Sequence, residues 1–522
     1  MKIAQYHGPE NKNDRVCFIK GEDRSVIGQA WDRIYITTLF SFEWQRIERA
    51  IDFAIEASGG QTDKIFVGGI AASLMYERFL AQPKWRGVRF IKGLLSKSPS
   101  VSLQLDEFED ELYADDTTGA PIEDLTPDYS ILNQIEYRYP VNDAYFAYAS
   151  RGCIRSCKFC GVPKLEGEQR DTYSVTRIVE DVARMYGEKK DLILMDNNVV
   201  ASPRFKEIIA EIRDLGFARG AKLSRGRVPV QRRVDFNQGV DARILCKDPV
   251  YLRELSSICI KPLRIAFDHL GVKKPYEQAI RYAADAGLRD LSNYMLYNFH
   301  DTPADLFERM RLNVALNEEL DIRIFSFPMR YQPTDRPDRG HIGPKWNAHY
   351  LRSMQIILQA THGIVSGAPS FFKKAFGDSF EEFEGILNRP HHFVFNRFWY
   401  EMYDGRSELD EFQAQYGKLS DSQRVELMSF LCSRDAGQIE SSKEEISDKQ
   451  VRRVAGFYIP MPKSEEEKIW IAQRELRESN MAGYLVPEDE LVEDAAFTNE
   501  DVIVNEKQRS VRSASRQLRS VA

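Results

Sequence analysis

Ala149-Ser150-Arg151-Gly152-Cys153-Ile154-Arg155-Ser156-Cys157-Lys158-Phe159-Cys160-Gly161 places three of the chain's seven cysteines within eight positions, as Cys-x-x-x-Cys-x-x-Cys. Three thiolates at that spacing suit three irons of a cubane cluster and leave the fourth iron open. Clusters that only carry electrons normally take four thiolates, and zinc knuckles pair two Cys-x-x-Cys units or combine one with histidines. Neither completion is visible: Cys17, Cys246, Cys259 and Cys432 stand singly, and no His-x-x-x-His follows within a finger's length. Zinc remains the alternative metal, and a structural loop of free thiols a third reading. An open iron is a chemical site, so the expectation is an enzyme.

At 522 residues, 43% hydrophobic and 29% charged, the chain has material for two or three packed domains. A net charge of −7 creates no global field for nucleic acid, although a local basic patch is not excluded. The start, Met1-Lys2-Ile3-Ala4-Gln5-Tyr6-His7, lacks the apolar core of a signal peptide, and no run of about 20 apolar residues follows anywhere. A cytoplasmic location is expected, where sparse cysteines suit a thiolate-bound cluster better than disulfides.

The cysteine spacing and its flanks resemble the radical S-adenosylmethionine superfamily. The resemblance implies a 4Fe-4S cluster on Cys153, Cys157 and Cys160, with the open iron chelated by S-adenosylmethionine, whose reductive cleavage yields a 5′-deoxyadenosyl radical. Phe159 stands where the family places a ring near the adenine. An external electron donor such as flavodoxin or ferredoxin is implied with it.

Ahead of the loop, Arg33–Leu39 and Lys64–Ile70 read as β-strands, and the segment from Glu43 to Ala57 as a helix with Trp44, Ile47, Ile51 and Ala54 on one face. Alternating β and α elements imply a parallel sheet covered by helices. This Rossmann-like stretch, residues 1–130, resembles the cobalamin-binding domain that precedes the radical core in part of the superfamily. Many cobalamin domains carry Asp-x-His-x-x-Gly; here there is only His7, followed directly by Gly8. The readings that stay open are a domain that binds cobalamin, a retained, empty scaffold, and a substrate-facing domain.

Six strands are expected after the loop begins: 145–150, 191–196, 233–241, 263–268, 291–297 and 322–327, with helices between them. Six are too few to close an eight-unit barrel and match the partial (β/α)6 TIM-type barrel that the resemblance implies, over residues 140–335. Barrel enzymes carry their chemistry at strand C-termini. By that rule Asp196 and Asn197 end strand two, where the family holds the amino group of S-adenosylmethionine. Gln238, Asp241 and Arg243 follow strand three, Arg243 offering a fork of donors to the methionine carboxylate. Asp268 and His269 end strand four, and His300 follows strand five. Each has a plain counterpart: aspartates as turn or capping residues, Arg243 as a surface ion-pair partner, the histidines as rim groups.

A proline-rich, charged loop, Arg330–His341, is placed to overhang the barrel mouth. A mainly helical C-terminal domain is expected over 340–470, and a disordered charged tail over 487–522, with Lys507, Arg509, Arg512, Arg516 and Arg519. The basic run Arg219, Lys222, Arg225, Arg227, Arg232 and Arg233 lies ahead of strand three, as a phosphate contact or a solvated loop. No motif names the substrate. The function expected is a radical S-adenosylmethionine enzyme acting on an unidentified substrate; the alternatives are a cobalamin-dependent radical methyltransferase and a non-catalytic iron-sulfur or zinc protein.

Overall fold

The computed structural model describes residues 1–96, 121–171, 174–434 and 436–459. The basic tail lies outside the described residues. The chain separates into two compact units at Pro344/Lys345.

The first unit opens with helix α1 (Lys2–His7) and a parallel sheet of strands β1 (Ile34–Thr38), β2 (Ile65–Gly69) and β3 (Arg89–Phe90), in that order. Ile34 pairs with Ile65 and Thr38 with Gly69. Helix α2 (Trp44–Ala57) buries Ile47, Ile51 and Ala54 against this sheet, the face that the sequence spacing predicts. Gly69 is required where β2 hands over to helix α3 (Ile70–Leu74). Its φ is +102°, and a Cβ there would stand 2.3 Å from the Thr38 carbonyl oxygen.

The remainder of the unit is built from β4 (Ala144–Ala147), β5 (Asp191–Leu194), β6 (Val234–Phe236), β7 (Leu263–Arg264), β8 (Asp290–Tyr297) and β9 (Arg323–Arg330). They form two open, three-stranded parallel sheets, β6-β5-β4 and β7-β8-β9. Single parallel bridges, Val234 to Ile260 and Val240 to Ile265, join β6 to the chain around β7. Among the described residues no barrel closes. Helix α4 (Val162–Leu165) and helix α5 (Val175–Tyr186) follow β4, and helix α6 (Phe205–Ile212) follows β5. Helices α7 (Lys273–Asp285) and α8 (Pro303–Leu320) follow β7 and β8. Alternation of strand and helix with parallel pairing is what buried apolar runs separated by amphipathic segments dictate.

The basic run lies at the end of these strands away from the cysteine loop. It forms a hairpin, Lys222–Leu223 against Val230–Gln231, that leads into β6. Arg225 pairs with Asp143 just before β4, Arg232 with Glu188 just before β5, and Arg219 donates to the Gly287 carbonyl. Arg219 and Arg225 are exposed, as a solvated loop has them, whereas Arg232 is buried over the Phe217 ring.

The second unit is helical, from α9 (Ala348–Ala360) onward, with a core that includes Phe393, Phe412, Leu427, Val451 and Val454. No described helix is long and apolar enough to cross a membrane.

Candidate functional site: a three-thiol loop at the strand ends

Because β4 and β5 pair in register, Ala147 against Leu194, the residues two steps beyond each strand end come together. Asp196 there accepts hydrogen bonds from the Ala149 N–H (2.9 Å), the Ser150 N–H (2.5 Å) and the Ser150 hydroxyl (2.6 Å). It is 2% exposed, and burial raises its pKa to about 6 against those hydrogen bonds. Asp196 thus straps down the start of the cysteine loop with both oxygens.

The next residues are held by Glu166, at the end of α4. Its Oε2 accepts from the Gly152 N–H (2.8 Å) and from Asn197 Nδ2 (2.8 Å), and Oε1 faces Arg151 Nη1 at 3.4 Å. Arg151 also pairs with Glu123, which Lys2 approaches at 3.1 Å, so a buried ionic chain runs from α1 to the loop. Gly152 has φ +75°, and a Cβ would stand 2.2 Å from the Glu168 carbonyl oxygen. Only glycine fits that turn.

Asp241 holds the middle of the loop. Its side chain is 8% exposed and receives Arg155 Nε (2.8 Å) on one oxygen and Arg243 Nε (2.7 Å) on the other. Burial pushes its pKa up, but the hydrogen bonds from Arg243 and Arg155 outweigh that and hold the carboxyl below its ordinary range. Arg243, half-exposed, is raised by its bond to Asp241 and further by the charges of Cys157 and Asp268.

Cys153, Cys157 and Cys160 are partly buried and free of disulfides. The Arg155 N–H lies 3.4 Å from Cys153 Sγ and the Val162 N–H 3.4 Å from Cys160 Sγ, donors of the kind that support metal-bound thiolates. Burial raises the thiols of Cys157 and Cys160, and the neighbouring sulfurs raise Cys160 further. Thiols in this condition release their protons when a metal takes them. The donor set fits an iron-sulfur cluster, although among the described residues no three His, Cys, Asp or Glu side chains already stand as a metal-holding group.

Phe159 packs edge-to-face on Phe299 beyond β8 (5.8 Å), and Phe299 in turn on Tyr331 (4.7 Å). Gln238 is exposed in the turn after β6, and His269 and His300 are exposed at the rim. The structure therefore brings Asp196, Asn197 and Arg243 to the loop that holds Phe159, and leaves Gln238 exposed in the turn after β6. Sequence reading missed Glu166, Ser150 and Arg155; nothing local marks Glu166, whose role depends on α4 folding back.

Asp268, just past β7, has no hydrogen-bond donor on its carboxylate among the described residues. Burial raises its pKa to about 6, with Arg309 and Arg243 opposing. An aspartate raised above its ordinary 3.8 burdens the fold fully above pH 6 and not at all below pH 4. Asp268→Asn should stabilise the iron-free chain by roughly 1–3 kcal/mol at pH 7.5 and by nothing at pH 4. Urea midpoints at the two pH values measure this; an equal gain at both contradicts a buried charge.

His7, the last residue of α1, is the imidazole a cobalt would need in the N-terminal domain. Its Nδ1 bonds Asp14 (2.7 Å) and its Nε2 the Tyr35 hydroxyl (2.8 Å), so neither nitrogen is free for a metal. The described residues do not fit cobalamin held through His7.

Fold and site together define an α/β protein of parallel strand–helix units with a three-thiol loop where its strands end. No protein-family model and no curated protein matches the chain. Among solved structures it is similar to TsrM, a radical S-adenosylmethionine methyltransferase from Kitasatospora setae with cobalamin and a 4Fe-4S cluster bound, at 14% identity, covering 59% of this chain and 66% of that one with TM-score 0.38. It is also similar to OxsB, a cobalamin-dependent S-adenosylmethionine radical enzyme, at 12% identity, covering 88% of this chain and 74% of that one with TM-score 0.36. A third, SuiB from Streptococcus suis bound to S-adenosylmethionine, has 14% identity, 48% and 56% coverage and TM-score 0.28. The chain thus spans just under two thirds of TsrM and little over half of SuiB. These likenesses are distant, and the roles below rest on this chain's own residues.

Proposed function

We propose that the chain is a radical S-adenosylmethionine enzyme, with residues 140–335 as a partial (β/α)6 barrel, 1–130 as a Rossmann-like domain and 340–470 as a helical domain. The observation that carries this reading is the loop itself: three free cysteines, two with N–H groups aimed at sulfur, strapped to the C-terminal ends of parallel strands. A 4Fe-4S cluster bound there supplies an electron and an open iron for reductive cleavage of S-adenosylmethionine. Cys153, Cys157 and Cys160 hold it. Arg243 pairs the methionine carboxylate, Phe159 lies against the adenine, and Asn197 and Gln238 supply hydrogen bonds at the rim. Asp196 serves the amino group only through the loop it restrains, since its oxygens are taken. Electrons come from an external flavodoxin or ferredoxin in a cytoplasmic setting.

The test is anaerobic reconstitution with iron and sulfide, reduction with dithionite, and assay for 5′-deoxyadenosine. Product dependent on S-adenosylmethionine supports the reading. An intact cluster without product favours a non-catalytic iron-sulfur protein, and zinc retained in place of iron favours a structural knuckle.

A further inference from the structure

The helical unit contains a cavity of about 410 Å³, within the range that small-molecule sites occupy. Its walls come from helices α10 (Phe380–Leu387), α11 (Arg397–Met402) and α12 (Arg406–Tyr416), and from Arg389 just past the end of α10. Helical spacing puts Glu381, Glu382, Gly385 and Ile386 of α10 toward the cavity together.

The inner end is basic and incompletely satisfied. Arg389 is 9% exposed and Arg397 largely buried, yet the two share one carboxylate: Glu401 Oε1 accepts from Arg389 Nη1 (2.7 Å) and from Arg397 Nε (2.6 Å). Arg397 spends Nη1 on the Ala375 carbonyl (2.7 Å). Arg389 spends nothing further: its Nε is buried without a hydrogen-bond partner among the described residues, and its Nη2 has none there either. Two guanidiniums against one carboxylate leave an excess positive charge, with the Nε and Nη2 edge of one fork unspent. That edge is the one a carboxylate meets with both oxygens, and a buried donor left unpaired destabilises the fold. The outer end is acidic. Glu381 and Glu382 are exposed, and neither forms an ion pair among the described residues; Glu382 Oε2 only accepts from the Asp378 N–H (2.9 Å).

We propose that this cavity binds a small zwitterion, with its carboxylate on Arg389 and its ammonium toward Glu381 and Glu382. Charge complementarity carries the choice. A phosphate-like dianion would meet two carboxylates at the outer end, and a simple cation would meet the unbalanced guanidinium at the inner one; a molecule with one charge of each sign satisfies both. Glu382 precedes Arg389 by seven positions, about two helical turns or roughly 10 Å at about 1.5 Å per residue. The carboxylate and ammonium of the ligand therefore stand several atoms apart, across the apolar Ile386. The site lies wholly within the helical unit, so its occupation needs neither a cluster nor radical chemistry.

Titration of the full-length chain with 6-aminohexanoate, followed by NMR of the ligand, tests this. One saturable site is expected, with hexanoate and hexylamine, which each lack one of the two charges, at least tenfold weaker. Arg389→Lys should weaken 6-aminohexanoate at least tenfold, because one ammonium does not offer paired donors in a plane. Glu381→Gln combined with Glu382→Gln should erase the preference over hexanoate. Gly385→Leu should block the site without harming the fold: a Cβ at Gly385 meets nothing within 4 Å, and a helix interior favours leucine over glycine. Val425→Ser, at an exposed position elsewhere in the unit, should bind as the parent does. Absence of saturation, hexanoate binding as tightly as 6-aminohexanoate, or parent-like binding by Gly385→Leu overturns the proposal. Should circular dichroism show Arg389→Lys unfolded, Gly385→Leu decides by that last criterion alone.

Discussion

Alanine at Cys157 should leave a folded chain that, after reconstitution, shows neither the visible absorbance of a 4Fe-4S cluster nor any 5′-deoxyadenosine above background. Three thiolates are the whole protein ligand set of this loop, and two cannot hold a cubane with one iron already given to a small molecule. The Cys157 thiol feels the charges of both Asp268 and Arg243, so on the proposed reading its loss also removes the sulfur that faces the groups assigned to the ligand. Cys17→Ala, at an exposed position far along the chain, is the control and should keep both signals. Cluster and product retained in Cys157→Ala would end the assignment.

The thiols were legible because their spacing is local, eight positions of one loop. So were the strands: Leu192–Leu194 is an apolar run, which is how strands buried by helices read, and Asp290–Tyr297 shows through Leu291, Tyr294, Met295, Leu296 and Tyr297 despite Ser292 and Asn293 between them. Strand ends were less so. The third strand was expected to reach Asp241 and stops at Phe236, because the Gly239 N–H turns back to the Phe236 carbonyl and Val240 crosses to pair beside Arg264. The sixth runs past Pro328 to Arg330, which a proline permits on an edge strand. What stayed hidden is tertiary. Asp196 read as a ligand-holding residue, yet its partners, Ala149 and Ser150, are 47 and 46 positions away and adjacent only through the β4–β5 register. Asp241 stood out beside Arg243, but its second partner, Arg155, comes from the cysteine loop. The common end of the six strands depends on four strand pairings at once, and no window of sequence contains them.

Arg309 has a large expected effect on stability, and no motif marks it. Its guanidinium is completely buried in α8 and donates to the carbonyls of Phe267 (3.0 Å), Asp268 (2.9 Å) and Asp305 (3.2 Å) and to Asp301 Oδ2 (3.0 Å). It joins the end of β7, the turn after β8 and the first turn of α8, where Thr302 and Asp305 form a capping box. Burial lowers its pKa, and the nearby carboxylates oppose this, Asp301 foremost. Arg309→Met keeps the volume but strips Asp301 of its counter-charge, so the first unit should lose about 3–5 kcal/mol. The double variant Arg309→Met with Asp301→Asn should recover part of that, because the penalty lies in a stranded charge rather than in lost packing. Lysine should fall between, since one ammonium cannot span four acceptors in a fixed fork. Denaturant unfolding followed by hydrogen exchange at residues 267–270 measures both the loss and its location. Because the same guanidinium holds the Asp268 backbone, the lysine variant should also release that residue from its place beside the thiols and lower 5′-deoxyadenosine yield with the iron content unchanged. A methionine variant as stable as the parent would show that the buried pair contributes nothing to holding the mouth.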